Sequence, residues 1–357
     1  MKKQIQVLIV EDSPTARELL VHIISDNPGL VVVGQARNGA EGVRLTRRLK
    51  PDVISMDVNM PIMNGFEAVR EIMQVEPTPV VVVSASMQFE ELDVAFNAMK
   101  AGALAVLRKP AGPSHPDFAA MRDELVTTLK LMAGVAVVTH RPARAKVTGP
   151  LSIPPFAQNG HIGQLTVVGL ASSTGGPSAL EAILSALPAD FPVPILLVQH
   201  ISAGFENGLA DWLNRTCPLA VSVAQNGQKP EPGQVLIAPS GTHLRLSQAR
   251  RVLLDRRPGP YDNVPSADVL LASLAEHYGQ QAMGVVLTGM GADGAAGLRA
   301  IRDAGGTTLA QDEESSVVFG MPKEAVILGG AERIVSLAKM AKTITVLASK
   351  KNRQRIR

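Results

Sequence analysis

Short runs of β-branched and aliphatic residues recur along this chain at regular intervals, and the segments between them carry apolar residues at helical spacing. Val7–Val10, Leu30–Val33, Val53–Met56, Val80–Val83 and Leu104–Leu107 are the first five. Parallel strands need long crossovers, and a helix is the usual one, so five such units predict a doubly wound parallel sheet. After an interruption the pattern resumes at Leu165–Leu170, Ile195–Gln199, Leu219–Ala224, Val235–Ala238, Gly284–Thr288 and Thr307–Ala310. The interruption, HRPARAKVTGPLSIPPFAQNGH, is rich in Pro, Gly and basic residues and has no period. The expectation is an α/β chain of two doubly wound parallel-sheet domains. The first spans 1–131, a flexible linker 132–162, the second domain 163–348 and a basic tail 349–357.

At 357 residues the length suits two domains. The single cysteine, Cys217, excludes a disulfide framework and a multi-cysteine zinc site. No apolar run approaches the ~18 residues of a membrane-spanning helix. The apolar run in MKKQIQVLIVEDS is too short for a secretory leader and ends in acids. These features predict a soluble, cytoplasmic protein that is not membrane-inserted. The formal charge is +3, but the last eight residues carry five positive charges, so +3 less 5 leaves the remainder at −2. Basicity confined to a solvated end, with no basic recognition helix, argues against a nucleic-acid partner.

In the first domain, polar groups fall at the carboxyl ends of the predicted strands. Glu11 and Asp12 follow the first, Asp57 the third, Ser84 the fourth and Lys109 the fifth. A parallel sheet brings these ends to one edge, where three carboxylates crowd together. Such crowding is costly unless a hard cation binds there, and Mg²⁺ suits a few carboxylates plus water. With the cation in place Asp57 can attack a phosphoryl donor, Lys109 neutralise the added charge and Ser84 bond a phosphoryl oxygen.

In the second domain the apolar run Leu165–Leu170 breaks at Ser172-Ser173-Thr174-Gly175-Gly176-Pro177, and a helical pattern follows. A hydroxyl at such a strand-to-helix turn projects from the carboxyl edge of a sheet. Ser173-Thr174-Gly175 matches the second half of a nucleophile elbow, with Ala171 at the place of the first glycine. The same turn equally describes a serine N-cap in a phosphate-binding or structural turn. Three histidines lie beyond residue 163. His200 closes ILLVQH at the edge where Ser173 lies, His243 falls in the turn PSGTHL, and His277 ends a helical pattern. His200 is the best-placed base. Asp293, in TGMGADGAAG after the strand GVVLT, is the best-placed group to orient it.

The segments IQVLIVEDSPTAR, ISMDVNMPIMNG, VVVVSAS and LRKP resemble the motifs of two-component receiver domains. The resemblance implies phosphorylation at Asp57 by a histidine kinase. It also implies Mg²⁺ held by Asp12, Asp57 and the Asn59 carbonyl, with Glu11, Ser84 and Lys109 completing the site. Val106 stands where many receivers carry an aromatic residue. VVGLASSTGG, LLVQHISAGF, IAPSGTHL, PSADVL, VVLTGMGADGAAGL and AQDEESSVVFGMPKEA resemble the catalytic domain of the chemotaxis protein-glutamate methylesterases, a Rossmann-like serine hydrolase. That implies Ser173 as nucleophile, His200 as base and Asp293 as its partner. The Met290 N–H becomes an oxyanion donor, and no cofactor is needed in this domain. The implied substrates are methylated chemoreceptor helices, demethylated with release of methanol, with receptor glutamine deamidation by the same chemistry. Ala171-Ser172 replace the usual Gly-Ala, and Val264 stands where the family usually has arginine.

Overall fold

The computed structural model describes residues 4–84, 89–135, 165–256 and 263–349. The residues read as linker lie outside the described residues from 136 onward, as does the tail from 350 onward. In the first half β1 (Ile5–Val10), α1 (Pro14–Ser25), β2 (Leu30–Ala36), α2 (Gly39–Leu49) and β3 (Val53–Met56) lead into α3 (Gly65–Val75), β4 (Val80–Ser84), α4 (Phe89–Lys100), β5 (Ala105–Arg108) and α5 (Phe118–Met132). The strands pair in parallel in the order β2-β1-β3-β4-β5. Helices cover both faces, which is why Val7 to Val10 are all at most 1% exposed rather than alternating. Helix starts are written locally. Ser13 caps α1 ahead of Pro14, and Asn64 forms a capping box with Glu67 at α3.

The second half contains β6 (Val167–Ser172), α6 (Gly176–Leu184), β7 (Ile195–Gln199), α7 (Glu206–Thr216), β8 (Ala220–Val223), β9 (Gln234–Ile237), β10 (His243–Leu246) and β11 (Val252–Asp255). It continues with α8 (Ala267–Tyr278), β12 (Ala282–Val286), α9 (Ala295–Asp303), β13 (Thr307–Gln311), α10 (Met321–Ile327), β14 (Arg333–Val335) and α11 (Leu337–Ser349). Seven strands form one parallel sheet, β14-β13-β12-β6-β7-β9-β8. The alternation predicted both sheets. It did not predict edge strand β14 or the β10–β11 hairpin, which pairs His243 with Asp255 and Leu246 with Val252. His243 therefore opens a strand instead of lying in a turn. A four-residue strand carries only two inward positions, here Leu244 and Leu246, too few to register as a period.

Both sheets reverse their winding direction next to the strand that starts them, between β1 and β3 in the first and between β6 and β12 in the second. At each reversal the flanking loops diverge and leave a crevice beyond the carboxyl ends. The two halves also touch. From α4, Phe96 stacks on Trp212 of α7 with ring centroids 5.5 Å apart, and both side chains are fully buried. Trp212 Nε1–H donates to Asn97 Oδ1 at 3.4 Å, and one apolar cluster runs from the first sheet into the second. Among the described residues no helix is long and apolar enough to cross a membrane.

Truncating Trp212 removes the largest buried side chain in the chain and leaves Phe96 facing a void. Trp212→Ala is expected to cost about 3–5 kcal/mol in urea unfolding. A loss below about 1 kcal/mol would show that α4 and α7 close over the gap.

Candidate active site

At the first reversal, Glu11 and Asp12 leave β1, and Asp57 leaves β3. One carboxylate oxygen from each lies within 4.8 Å of the others. Lys109, following β5, places Nζ 2.8 Å from Glu11 Oε2 and 3.0 Å from Asp57 Oδ1. Burial, opposed by Lys109 and reinforced by Glu11, raises the Asp57 pKa to about 6. Lys109 loses charge stability through burial but gains more from the two carboxylates, so its pKa rises. Ser84 is buried at the end of β4, and its carbonyl accepts the Lys109 N–H at 2.7 Å. Three hard oxygen donors with a single lysine between them are short of positive charge, and that deficit fits a divalent cation such as Mg²⁺. Asn59 is exposed on the loop after β3. Val106 is 6% exposed inside the sheet's core.

At the second reversal, Ser173 leaves β6 and His200 leaves β7. The preceding residues, Ser172 and Gln199, are register partners, so the two side chains start side by side. His200 N–H donates to the Ser172 carbonyl at 2.9 Å. Gly175 turns the chain into α6 at φ +76°, a conformation that costs a residue with a Cβ. Asp293 comes from the loop after β12, and its Oδ2 lies 2.8 Å from His200 Nε2.

Asp293 is held with unusual completeness. Its Oδ2 also accepts the Ala267 N–H at 2.8 Å. Its Oδ1 accepts the Ser266 hydroxyl at 2.8 Å and the Asp268 N–H at 2.9 Å. Ser266, Ala267 and Asp268 are the N-terminus of α8, where unpaired N–H groups and the helix dipole favour negative charge. Burial alone would raise the Asp293 pKa. The His200 bond and the Asp268 and Ala267 amides outweigh it and bring it to about 2. Asp293 is therefore a carboxylate, which only accepts hydrogen bonds, so His200 Nε2–H donates to it and, in a neutral ring, the lone pair lies on Nδ1.

Behind this row, His243 Nδ1 accepts the Ser266 N–H at 3.1 Å, and burial lowers the His243 pKa. Gly289 lies against Ser173, so closely that a Cβ there would stand 2.7 Å from Ser173 Cβ. The Gly289 carbonyl accepts Gly320 and Met321 N–H groups at 3.0 and 2.8 Å, which turns the Met290 N–H of the same trans peptide away from α10. The structure thus brings Ser173, His200, Asp293 and the Gly289–Met290 peptide into one crevice. It leaves His277 in the last turn of α8. Val264, beside Ser266, is 44% exposed. Sequence reasoning missed Ser266 and the α8 terminus, though Pro-Ser-Ala-Asp is a helix-start pattern that could have shown them. It also missed Gln199, which reads simply as the last residue of a strand.

The CheB methylesterase family model matches residues 168–344, and that of the response regulator receiver domain matches residues 7–116. A relative in Myxococcus xanthus, named protein-glutamate methylesterase/protein-glutamine glutaminase 4, is 47% identical over 96% of this chain and 96% of its own length. A Nitrosospira multiformis protein-glutamate methylesterase/protein-glutamine glutaminase is 42% identical over 99% of both. The crystal structure of the Thermotoga maritima CheB methylesterase catalytic domain, 39% identical, aligns at a TM-score of 0.50 over 51% of this chain and 98% of that one.

The raised Asp57 pKa sets a stability prediction for the cation-free protein. An acid whose pKa is raised on folding keeps its stability below the unfolded value and loses it as pH rises through the folded one, here about 6. At pH 7 the buried carboxylate, 7% exposed, costs about 3 kcal/mol. Cation-free Asp57→Asn should be more stable than the parent at pH 7, the advantage shrinking towards pH 4, and Mg²⁺ should narrow the gap by stabilising the parent. Thermal unfolding with and without Mg²⁺ measures this, and an Asp57→Asn no more stable at pH 7 would contradict it.

Proposed function

The chain belongs to the CheB methylesterase family, with a receiver domain ahead of the catalytic one, and from that premise we propose how its own residues divide the work. The enzyme is a protein-glutamate methylesterase and protein-glutamine glutaminase of chemotaxis, acting on glutamate γ-methyl esters of chemoreceptors. Ser173 Oγ attacks the ester carbonyl while His200 Nδ1 takes its proton. The Nε2–H, bonded to Asp293, holds the ring and shares the imidazolium charge with a carboxylate that stays ionised. The Met290 N–H donates to the oxyanion. His200 returns the proton to the departing methanol, and a water activated the same way frees the glutamate. Glutamine deamidation follows the same path, and there the proton must reach nitrogen before ammonia leaves. The observation that carries the assignment is Asp293, a buried carboxylate with four donors, one of them His200.

In the receiver, Asp57 takes a phosphoryl group from a histidine kinase. Asp12, Asp57 and the Asn59 carbonyl would hold Mg²⁺, which would supply positive charge for the phosphoryl oxygens. Lys109 bonds the product and Ser84 supplies a hydroxyl. Control is by cover. Met99 accepts the Ser178 hydroxyl at 3.0 Å, Lys100 pairs with Glu181 at 2.7 Å, and Glu124 accepts the Ser202 hydroxyl at 2.8 Å. Ser178 lies in the first turns of the helix after Ser173, and Ser202 lies two residues after His200. These contacts support a receiver seated at the catalytic edge that the receptor helix must reach.

Methanol release from methylated receptor membranes, with and without a phosphoryl donor, tests both parts. Ser173→Ala should abolish release, and a Ser173→Ala enzyme that keeps its rate while Ser172→Ala loses it would move the nucleophile by one residue. Removing residues 1 to 150 should raise basal release, and Asp57→Asn should stay low with the donor present. A truncated enzyme slower than the unphosphorylated whole would exclude cover as the mechanism.

A further inference from the structure

Gln199 ends β7 immediately before the base and is 3% exposed. Every hydrogen-bonding atom of its carboxamide reaches the catalytic strand ends. Nε2 donates to the Ser173 carbonyl at 2.8 Å and to the His200 carbonyl at 2.8 Å. Oε1 accepts the Ser172 hydroxyl at 2.7 Å. The amide's orientation follows from its partners, because a flipped group would turn its oxygen onto two carbonyls that can only accept. Space has been cleared for it as well. A Cβ on Gly176 would stand 1.9 Å from Gln199 Oε1 and 2.8 Å from its Cδ, so a glycine is required there for room and not for its dihedral angles.

We propose that Gln199 is a positioning residue for the triad, a buried brace that ties the nucleophile's and the base's backbones to one amide, with Ser172 holding that amide in place. The inference rests on Ser173 and His200 as nucleophile and base. Those residues come from different strands. The His200 N–H to Ser172 carbonyl bond also joins the two strand ends. It engages neither the Ser173 nor the His200 carbonyl. Gln199 fixes both. The Ser173 carbonyl, shared with the Gly176 N–H at 2.8 Å, is locked from two sides. The peptide leading away from the nucleophile therefore cannot tilt, and the imidazole keeps its approach to Oγ. Ser172 is fully buried, so Oε1 has a dedicated donor shielded from water.

The test compares full-length Gln199→Met, Gln199→Glu, Ser172→Ala and Ser173→Ala. Each is assayed for kcat and KM on methylated receptor membranes and for the rate at which a fluorophosphonate labels the serine. Gln199→Met keeps the volume and loses the donors. Its kcat and labelling rate should fall on the order of 10²-fold with KM unchanged, the effect of a misaligned pair. Ser172→Ala keeps both Nε2 bonds and should lose only a few-fold. Gln199→Glu supplies a readout that packing alone would not move. Its carboxylate faces two carbonyls, so activity should be lowest in alkali and partly recover on acidification, when the protonated acid can donate to one of them. The parent, whose base works only unprotonated, should move the other way. A folded Gln199→Met within two-fold of the parent in kcat and labelling would overturn the brace. If that variant fails to fold, a Gln199→Glu whose pH profile runs parallel to the parent's would overturn it instead. An active Ser173→Ala would sink the triad itself, whereas an inactive Ser173→Ala beside an unimpaired Gln199→Met would sink only the brace.

Discussion

A carboxylate kept ionised inside a protein is the constraint on which the catalytic half depends. Asp293 is buried, and burial by itself favours the neutral acid. A neutral Asp293 could donate as well as accept and would no longer dictate which nitrogen of His200 holds the proton. Three donors from the start of α8 remove that ambiguity. The arrangement is reciprocal. Asp293 sits just before α9 and satisfies the N-terminus of α8, while Asp268, in the first turn of α8, accepts the Gly297 N–H of α9 at 2.6 Å. Each helix supplies the acid that the other's unpaired amides require. Burial raises the Asp268 pKa, and the α9 amides oppose that rise without cancelling it. The two helices pack closely enough that a Cβ on Gly297 would stand 2.7 Å from Leu271 Cβ. Asp293 is thus fixed by the packing of two helices, neither of which carries Ser173 or His200.

The same logic explains why two unrelated chemistries share one architecture. A parallel sheet delivers every strand end to one edge, and the reversal of winding opens that edge beside the first strand. In the first sheet the opening gathers like charges, whose mutual cost a divalent cation would relieve. In the second it gathers a hydroxyl, an imidazole and a paired acid. What differs is the residue that follows each strand, which is where short motifs carry most of their information.

That division also decides what the sequence made legible. The apolar runs are long enough to declare strands, and the polar residues just after them fall at the carboxyl edges, so both sheets and the strand-end placement of Ser173, His200, Asp293 and Asp57 could be read before any coordinates. The supporting groups could not. Gln199 looks like an ordinary strand terminus, and its role exists only because Ser172 and Gly176 arrive from another strand and turn. Asp268 reads as a common first-turn acid. The β10–β11 hairpin is too short to show a period. Phe96 looks like part of its own domain's core, since nothing local reveals that its face meets Trp212. Each of these depends on a contact between distant segments, and periodicity measures only neighbours.

The contacts between the halves are few enough for one covalent event to matter. Lys100 is half-exposed, so its pair with Glu181 adds at most about 1 kcal/mol. The Phe96–Trp212 stack adds about 0.5–1.5 kcal/mol beyond its burial, and each of the three hydroxyl or indole bonds contributes a similar amount. A phosphoryl group on Asp57 would form one to three charge-assisted bonds, each worth about 1.5–3 kcal/mol, beside Lys109 at the end of β5. The polar contacts and the stack together are of the same order as those new bonds. The route between them is short, because Val317 and Val318 pack against the core cluster that contains Leu104 and Leu107 of the receiver. Val317 also fills the space over Gly175, and the Val318 N–H donates at 3.0 Å to Thr288 Oγ1, whose hydroxyl bonds the Thr174 carbonyl at 2.9 Å. The loop that meets the receiver is therefore the loop that holds the Ser173 turn. A shift in β5 and its neighbours would reach the Ser173 turn through the same few side chains.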